Sequence, residues 1–144
     1  RELVATDPGL AVQSLGLLRG CLREVLRHAG DGSGYECQED EGAFMLAFGS
    51  MLDAAVFSIL LQRKLPQLPW PDELRQRGPM HSHGLRVSIG ALSGAYTSRR
   101  PHASTGRADY FGTIVNRTAR IAAAAHPGQV LLGGEMPLDA AALK

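Results

Sequence analysis

Leu15, Leu18, Leu22, Val25 and Leu26 recur at three- and four-residue steps between Asp7-Pro8 and Gly30. That spacing lines apolar side chains along one side of an α-helix. Asp7 offers an acceptor to the orphan amides of a first turn, Pro8 brings a φ already suited to it, and Gly30 can end the helix in a left-handed conformation. A helix that is apolar on one side holds together only when another layer covers that side, so the rest of the chain has to supply one.

The period then changes. After the loop Asp31 to Gly34, the stretch YECQEDEGAFMLAF from Tyr35 to Phe48 has two short extended runs around an acidic, glycine-containing centre, which predicts a β-hairpin. Ser50 caps a second predicted helix running through Asp53, Val56, Phe57, Leu60 and Leu61 to about Leu65. Pro66 to Gly84 holds four prolines and two glycines and is expected to be a surface connection without regular structure, with Trp70 as a packing anchor. Leu85, Val87, Ile89 and Ala91 alternate with Arg86, Ser88 and Gly90, the period of a half-buried strand. A polar loop is expected from Gly94 to Ala108. A third helix follows within Asp109 to Ala125, stopped by Pro127-Gly128, and Gln129 to Leu132 reads as a strand. The order helix, hairpin, helix, strand, helix, strand suits helices packed on a mixed sheet, of α/β or α+β class.

With 144 residues, one core and therefore one domain, residues 1–144, is the expectation. A net charge of +1 argues against a general polyanion binder, so no nucleic-acid partner is expected. No apolar run reaches membrane-spanning length, and no contact of this domain with a membrane is expected. Cys21 and Cys37 each stand without a CxxC neighbour, the pattern of reduced thiols in an intracellular, cytoplasmic protein. Arg1 as the first residue points to a piece of something longer, which could itself be multidomain or membrane-attached. His81 and His83 lack a third ligand nearby, and His126 suits a helix C-terminus. Arg99, Arg100 and Arg107 make the loop before Asp109 basic, and a solvated loop accounts for them. No Walker-type phosphate loop occurs.

The third helix carries the chemistry. In DYFGTIVNRTARIAAAA, Asn116 and Arg120 lie four apart and so project from one side, among apolar neighbours, with the carboxylate of Asp109 just upstream. Read without further context, the pair is as well explained by a solvent-facing edge of a buried helix.

In order and spacing, YEC-x4-GAFMLAF, then LRVSIGALSG, then DYFGTIVNRTARIAAAAHPGQVLL resembles the catalytic domain of class III adenylyl and guanylyl cyclases, from about Asp7 to Gly133. The resemblance implies an α+β, ferredoxin-like βαββαβ fold with a mixed, mostly antiparallel sheet under packed helices. It implies formation of a cyclic 3′,5′-nucleotide and pyrophosphate from a nucleoside triphosphate, at sites built between two cyclase domains paired head to tail, as a homo- or heterodimer. Asn116 matches the family's ribose-orienting asparagine and Arg120 the arginine that neutralises charge on the phosphates. Asp109 matches the residue that accepts from the adenine amino group, and Gln38 stands where its lysine partner is found. Glutamine both donates and accepts, so either purine edge stays readable, and Asp109 tilts the expectation toward ATP over GTP.

The hairpin departs from the family. Relatives read K-T-E-G-D-A-F-M, with the aspartate binding the metals, whereas this chain reads QEDEGAFM, which puts Gly42 at the metal position. Glycine has no side-chain ligand to offer; a shifted hairpin could bring in Asp40 or Glu41, at the cost of reversing which side chains face which way. RELVATDPGL contains nothing like the family's F-x-D-x-x-G strand, and the triphosphate-binding lysine belongs to strands beyond Lys144. The expectation is a domain without its first and C-terminal strands, acting as the transition-state-binding half of a dimeric site, with Mg²⁺ or Mn²⁺ held by a partner domain. The alternative is a catalytically silent module for dimerisation or regulatory nucleotide binding.

Overall fold

A computed structural model describes residues 6–29, 34–77, 83–94, 98–101, 108–111 and 113–133, of which 98–101, 108–111 and 113 are described in their backbone alone. Helix α1 spans Pro8–His28, with Asp7 Oδ1 accepting from Leu10 N at 3.1 Å, as the Asp-Pro start requires. Strands β1 (Tyr35–Asp40) and β2 (Ala43–Ala47) form the expected antiparallel hairpin. Helix α2 spans Met51–Lys64 and is capped by Ser50 Oγ, which accepts from Asp53 N at 3.1 Å.

The connection after α2 is more ordered than its prolines suggest. A 3₁₀ turn at Leu65–Gln67 and a short helix α3 at Asp72–Arg75 occupy it. Trp70 is buried and donates Nε1 to Leu65 O at 2.7 Å, the anchoring role expected of it. A Cβ at Gly84, whose φ is +86°, would fall 2.1 Å from the Trp70 ring, so the indole lies flat against a position only glycine can fill.

Strand β3 is Ile89–Leu92, shorter and later than the alternation from Leu85 predicts. Leu85 and Val87 still point inward, but they pack against the core as extended chain outside a ladder. The polar stretch after Gly94 is corrected more firmly. Ser98–Pro101 is β4 and Ala108–Phe111 is β5, paired antiparallel with Arg100 opposite Asp109. Asp109 therefore sits in a strand, and the third helix, α4, begins only at Thr113 and runs to Ala124. Strand β6, Val130–Gly133, lies parallel to β3.

Two of the three ladders among the described residues are antiparallel and one is parallel. The core lies between α1 and α2 and continues under Trp70 and Leu74, with Phe44, Leu46 and Ile89 packed against it from the strands and Phe48 from just beyond β2. Phe48 and Phe57 meet with ring centroids 5.3 Å apart and tilted by 42°. Both cysteines are buried and neither is in a disulfide, and burial raises the Cys21 thiol above its ordinary pKa. No helix among the described residues is long and apolar enough to cross a membrane.

Candidate functional site

Helix α4 is held from one side. A Cβ at Gly90 in β3 would lie 2.2 Å from the backbone nitrogen of Ala122, so the helix axis comes as near to the strand as a residue without a side chain permits. Ile114 and Ile121 reach Gly94 and Gly133 in the same way, through their Cδ1 atoms. Ile114, Ile121, Ala122 and Ala125 thus form the inward stripe, spaced by seven, one and three residues as a helix demands. Thr118 Oγ1 donates to Ile114 O at 2.7 Å, so its polarity is absorbed within the helix.

Asn116 and Arg120 fall on the opposite side and are exposed, together with Arg117, Ala119, Ala123 and Ala124. No hydrogen bond or ion pair joins the side chain of Asn116 or Arg120 to another of the described residues; their backbones bond only as part of the helix. An amide and a guanidinium are thus held one helical turn apart, about 6 Å in rise, on a helix fixed from behind. Such a pair offers donors and an acceptor to a ligand outside this fold, the guanidinium matching two phosphoryl oxygens at once.

Two other arginines show what an engaged guanidinium looks like here. Arg19 donates Nε to Glu39 Oε2 at 2.7 Å and Nη2 to Oε1 at 2.6 Å; Arg23 donates Nε to Glu36 Oε2 at 2.9 Å and Nη2 to Oε1 at 3.0 Å. Both pairs join α1 to β1. The hydrogen bonds that Arg19 donates hold the Glu39 carboxyl below its ordinary pKa, and the same bonds, accepted by Glu39, raise Arg19 in turn. These pairs were not expected from the sequence, although two arginines four apart on α1 are a visible signal for a shared acidic partner.

Gln38 is half-buried in β1 and donates Nε2 to Met45 Sδ at 3.7 Å across the hairpin. Strand β1 lies beside β5, which brings the backbones carrying Gln38 and Asp109 into one neighbourhood. The Asp109 side chain lies outside the described residues, as do His81 and Arg107.

Gly42 turns the hairpin. Glu41 at φ +46° and Gly42 at φ +85°, between the paired residues Asp40 and Ala43, form a two-residue turn with both central residues left-handed, the type that matches strand twist. A Cβ at Gly42 would lie 2.7 Å from Leu15 Cδ2. Asp40 and Glu41 are exposed at the tip, and the in-register pairing of Asp40 with Ala43 shows no slip toward a metal site. Among the described residues no group of three or more His, Cys, Asp or Glu side chains converges. With Glu36 and Glu39 engaged by arginines, the donor set left at this tip does not fit a pair of divalent cations, which take six oxygen ligands each.

No protein-family model matches the chain. It is 37% identical over 120 residues to an adenylate cyclase of Mycosarcoma maydis, covering 76% of this chain and 5% of that protein. It is 31% identical over 125 residues to an adenylate cyclase of Schizosaccharomyces pombe, covering 80% of this chain and 7% of that protein. The chain thus spans only a small part of the length of these relatives. Among solved structures, the fold superposes on that of a Trypanosoma brucei adenylate cyclase in its monomeric state with a TM-score of 0.76 and 22% identity, covering 91% of this chain and 66% of the other.

Proposed function

Because the chain is a class III nucleotide cyclase catalytic domain in sequence and fold, we propose that it works as the substrate- and transition-state-binding half of a site completed by a second cyclase domain. One observation carries this reading. Asn116 and Arg120 stand exposed and without described partners on the outer side of a helix whose inner side is closed against Gly90.

The chemistry follows from those two groups. In cyclisation the attacking 3′-oxygen and the α-phosphorus belong to one molecule, so most of the barrier is a matter of conformation and charge. The Asn116 amide orients the ribose, bringing the 3′-oxygen in line with the phosphorus. Arg120 places fixed donors where negative charge gathers as pyrophosphate leaves, and a guanidinium meets two oxygens where an ammonium meets them as a point charge. Gln38 and Asp109 are assigned to the purine, and ATP is preferred to GTP because a carboxylate accepts from the 6-amino group of adenine, where guanine carries a carbonyl oxygen that only accepts. Divalent cations, held by the partner's own carboxylates, supply the remaining charge neutralisation; the hairpin tip around Gly42 contributes no ligand to them.

The same hairpin tip gives a specific reason for a second reading, a silent module that pairs with a cyclase domain and regulates it. One experiment separates the two. The chain is assayed for cyclic nucleotide with Mn²⁺ and ATP or GTP, alone and mixed with a metal-competent cyclase domain. The first reading expects no product from the chain alone, product from the mixture, and a fall of about 100-fold or more with Arg120→Ala at unchanged association. Association without product, or product that ignores Arg120→Ala, decides for the silent module.

A further inference from the structure

Glu36 and Glu39 are three residues apart in β1, and in a regular strand a separation of three places side chains on opposite sides. Here both meet α1, one at Arg23 and the other at Arg19. The hairpin register explains how: Tyr35 and Glu36 pair with Ala47 and Leu46, but Gln38, Glu39 and Asp40 pair with Met45, Phe44 and Ala43, leaving Cys37 as an extra, bulged residue. The cross-strand partners agree. Leu46 and Phe44, opposite the two glutamates, pack against the core, while Gln38 lies opposite Met45 on the other side and bonds to its sulfur. Cys37 itself is 0% exposed.

The bulge decides where Gln38 points. Without it, Gln38 would share the side of Glu36, two residues before it, and would face α1; Glu39 would be turned away from Arg19 and its ion pair lost. The Arg19–Glu39 pair is compatible only with the bulged register. We propose that Arg19, acting through Glu39, is a positioning residue for purine recognition: it locks the β1 bulge in the register that turns Gln38 away from α1 and toward the nucleotide. The purine part of this rests on the base-side role given to Gln38 under the proposed function, whereas the register part stands on the hairpin alone.

Cys37 reports the register directly, because regular alternation after Glu36 would bring its thiol out on the side opposite α1. In a Cys21→Ala background, the thiol's exchange with 5,5′-dithiobis(2-nitrobenzoate) is followed for the full chain, alongside competition of ATP and GTP against a fluorescent N-methylanthraniloyl ATP in the mixture with a metal-competent domain. Arg19→Met is expected to speed Cys37 labelling by about tenfold or more and to bring the ATP-to-GTP affinity ratio toward one. The exchanged pair Arg19→Glu with Glu39→Arg, which remakes the clamp, is expected to restore both, and it also carries the test if Arg19→Met fails to fold. Unchanged labelling in folded Arg19→Met, or labelling that the exchanged pair leaves fast, overturns the lock. A purine ratio that moves with Gln38→Ala but not with Arg19→Met overturns the positioning role. A ratio that ignores Gln38→Ala removes the base-side reading, and the labelling then decides the register lock by itself.

Discussion

Arg19 closes on Glu39 through two parallel hydrogen bonds of 2.7 and 2.6 Å, across 20 residues of sequence, and so ties α1 to the second half of β1. The carboxyl of Glu39 is held below its ordinary pKa of 4.5 by those bonds. A group with a depressed folded pKa adds stability above its unfolded value and loses it as the pH falls through the folded one. The pair's contribution is therefore complete at neutral pH and fades below about pH 4.5, while the guanidinium stays charged throughout. Urea unfolding between pH 3 and 7 is expected to show a steeper acid loss in the wild type than in Glu39→Gln. Parallel curves would mean that the ion pair adds nothing to the folded state.

Gly42→Asp tests the hairpin tip. The substitution restores the residue type found at this place in the resembling family, but it puts a side chain at φ +85° and against Leu15 Cδ2 at 2.7 Å. Left-handed backbone costs a side-chain residue about 1–2 kcal/mol, somewhat less for aspartate, and the Leu15 methyl is a flexible end that can yield part of the overlap. The variant is expected to lose about 1–2 kcal/mol and to bind Mn²⁺ no more tightly than the wild type by paramagnetic resonance, because one new carboxylate makes no cation site. In a Leu15→Ala background the penalty is expected to shrink to the backbone part, a coupling that a double-mutant cycle reads directly. Tight Mn²⁺ binding by Gly42→Asp would show that Asp40 or Glu41 converges with it after all.

Ser14 is buried on α1 and its hydroxyl has no hydrogen-bond partner among the described residues. A polar group removed from water without compensation costs about 1–3 kcal/mol, and alanine is the better helix former at an interior position. Ser14→Ala is expected to raise stability by about 0.5–1.5 kcal/mol, seen as a higher urea midpoint at unchanged slope. A lower midpoint would show that the hydroxyl finds a partner in solution.

The caps and periods at Asp7-Pro8, Ser50 and Trp70 were legible because each acts within a few residues of sequence. The outward pair Asn116 and Arg120 was legible from helical spacing, and its separation on α4 from the inward stripe agrees. What escaped depends on distant partners. Leu85 and Val87 alternate as a strand would, yet they satisfy that pattern by packing on the core, and the ladder begins only at Ile89. Ser98–Pro101 is too polar to announce a strand and becomes one because Ala108–Phe111 pairs with it. The bulge at Cys37 has no local signature at all; it exists because Arg19 and Arg23, four apart on α1, draw Glu36 and Glu39 to the same side. The hairpin expectation was right in outline and blind to the one feature that sets the direction of Gln38.

Gly90 is where fold and site meet. The nearest atoms to a Cβ at this position are Ala122 N at 2.2 Å and Ala122 Cα at 2.7 Å, backbone that cannot swing aside as a side-chain end can. Gly90→Ala must push α4 off β3 or bend the strand, with a cost of about 1–3 kcal/mol as in other overpacked interiors. For a chain of this size that is a fall of several degrees in Tm. Because α4 carries Asn116 and Arg120 on its far side, the displacement also moves both groups relative to anything held by a partner, and a misplacement of about 1 Å can cost 100-fold in rate. In a mixture that makes cyclic nucleotide, Gly90→Ala is expected to lower kcat far more than its loss of folded protein explains, at temperatures well below its Tm. Alanine at Gly133, where the neighbour is the movable Cδ1 of Ile121 at 2.6 Å, provides the contrast: a smaller stability loss and a rate close to wild type. Equal rate losses in the two variants would show that general loosening, and not the seat of α4, governs the site.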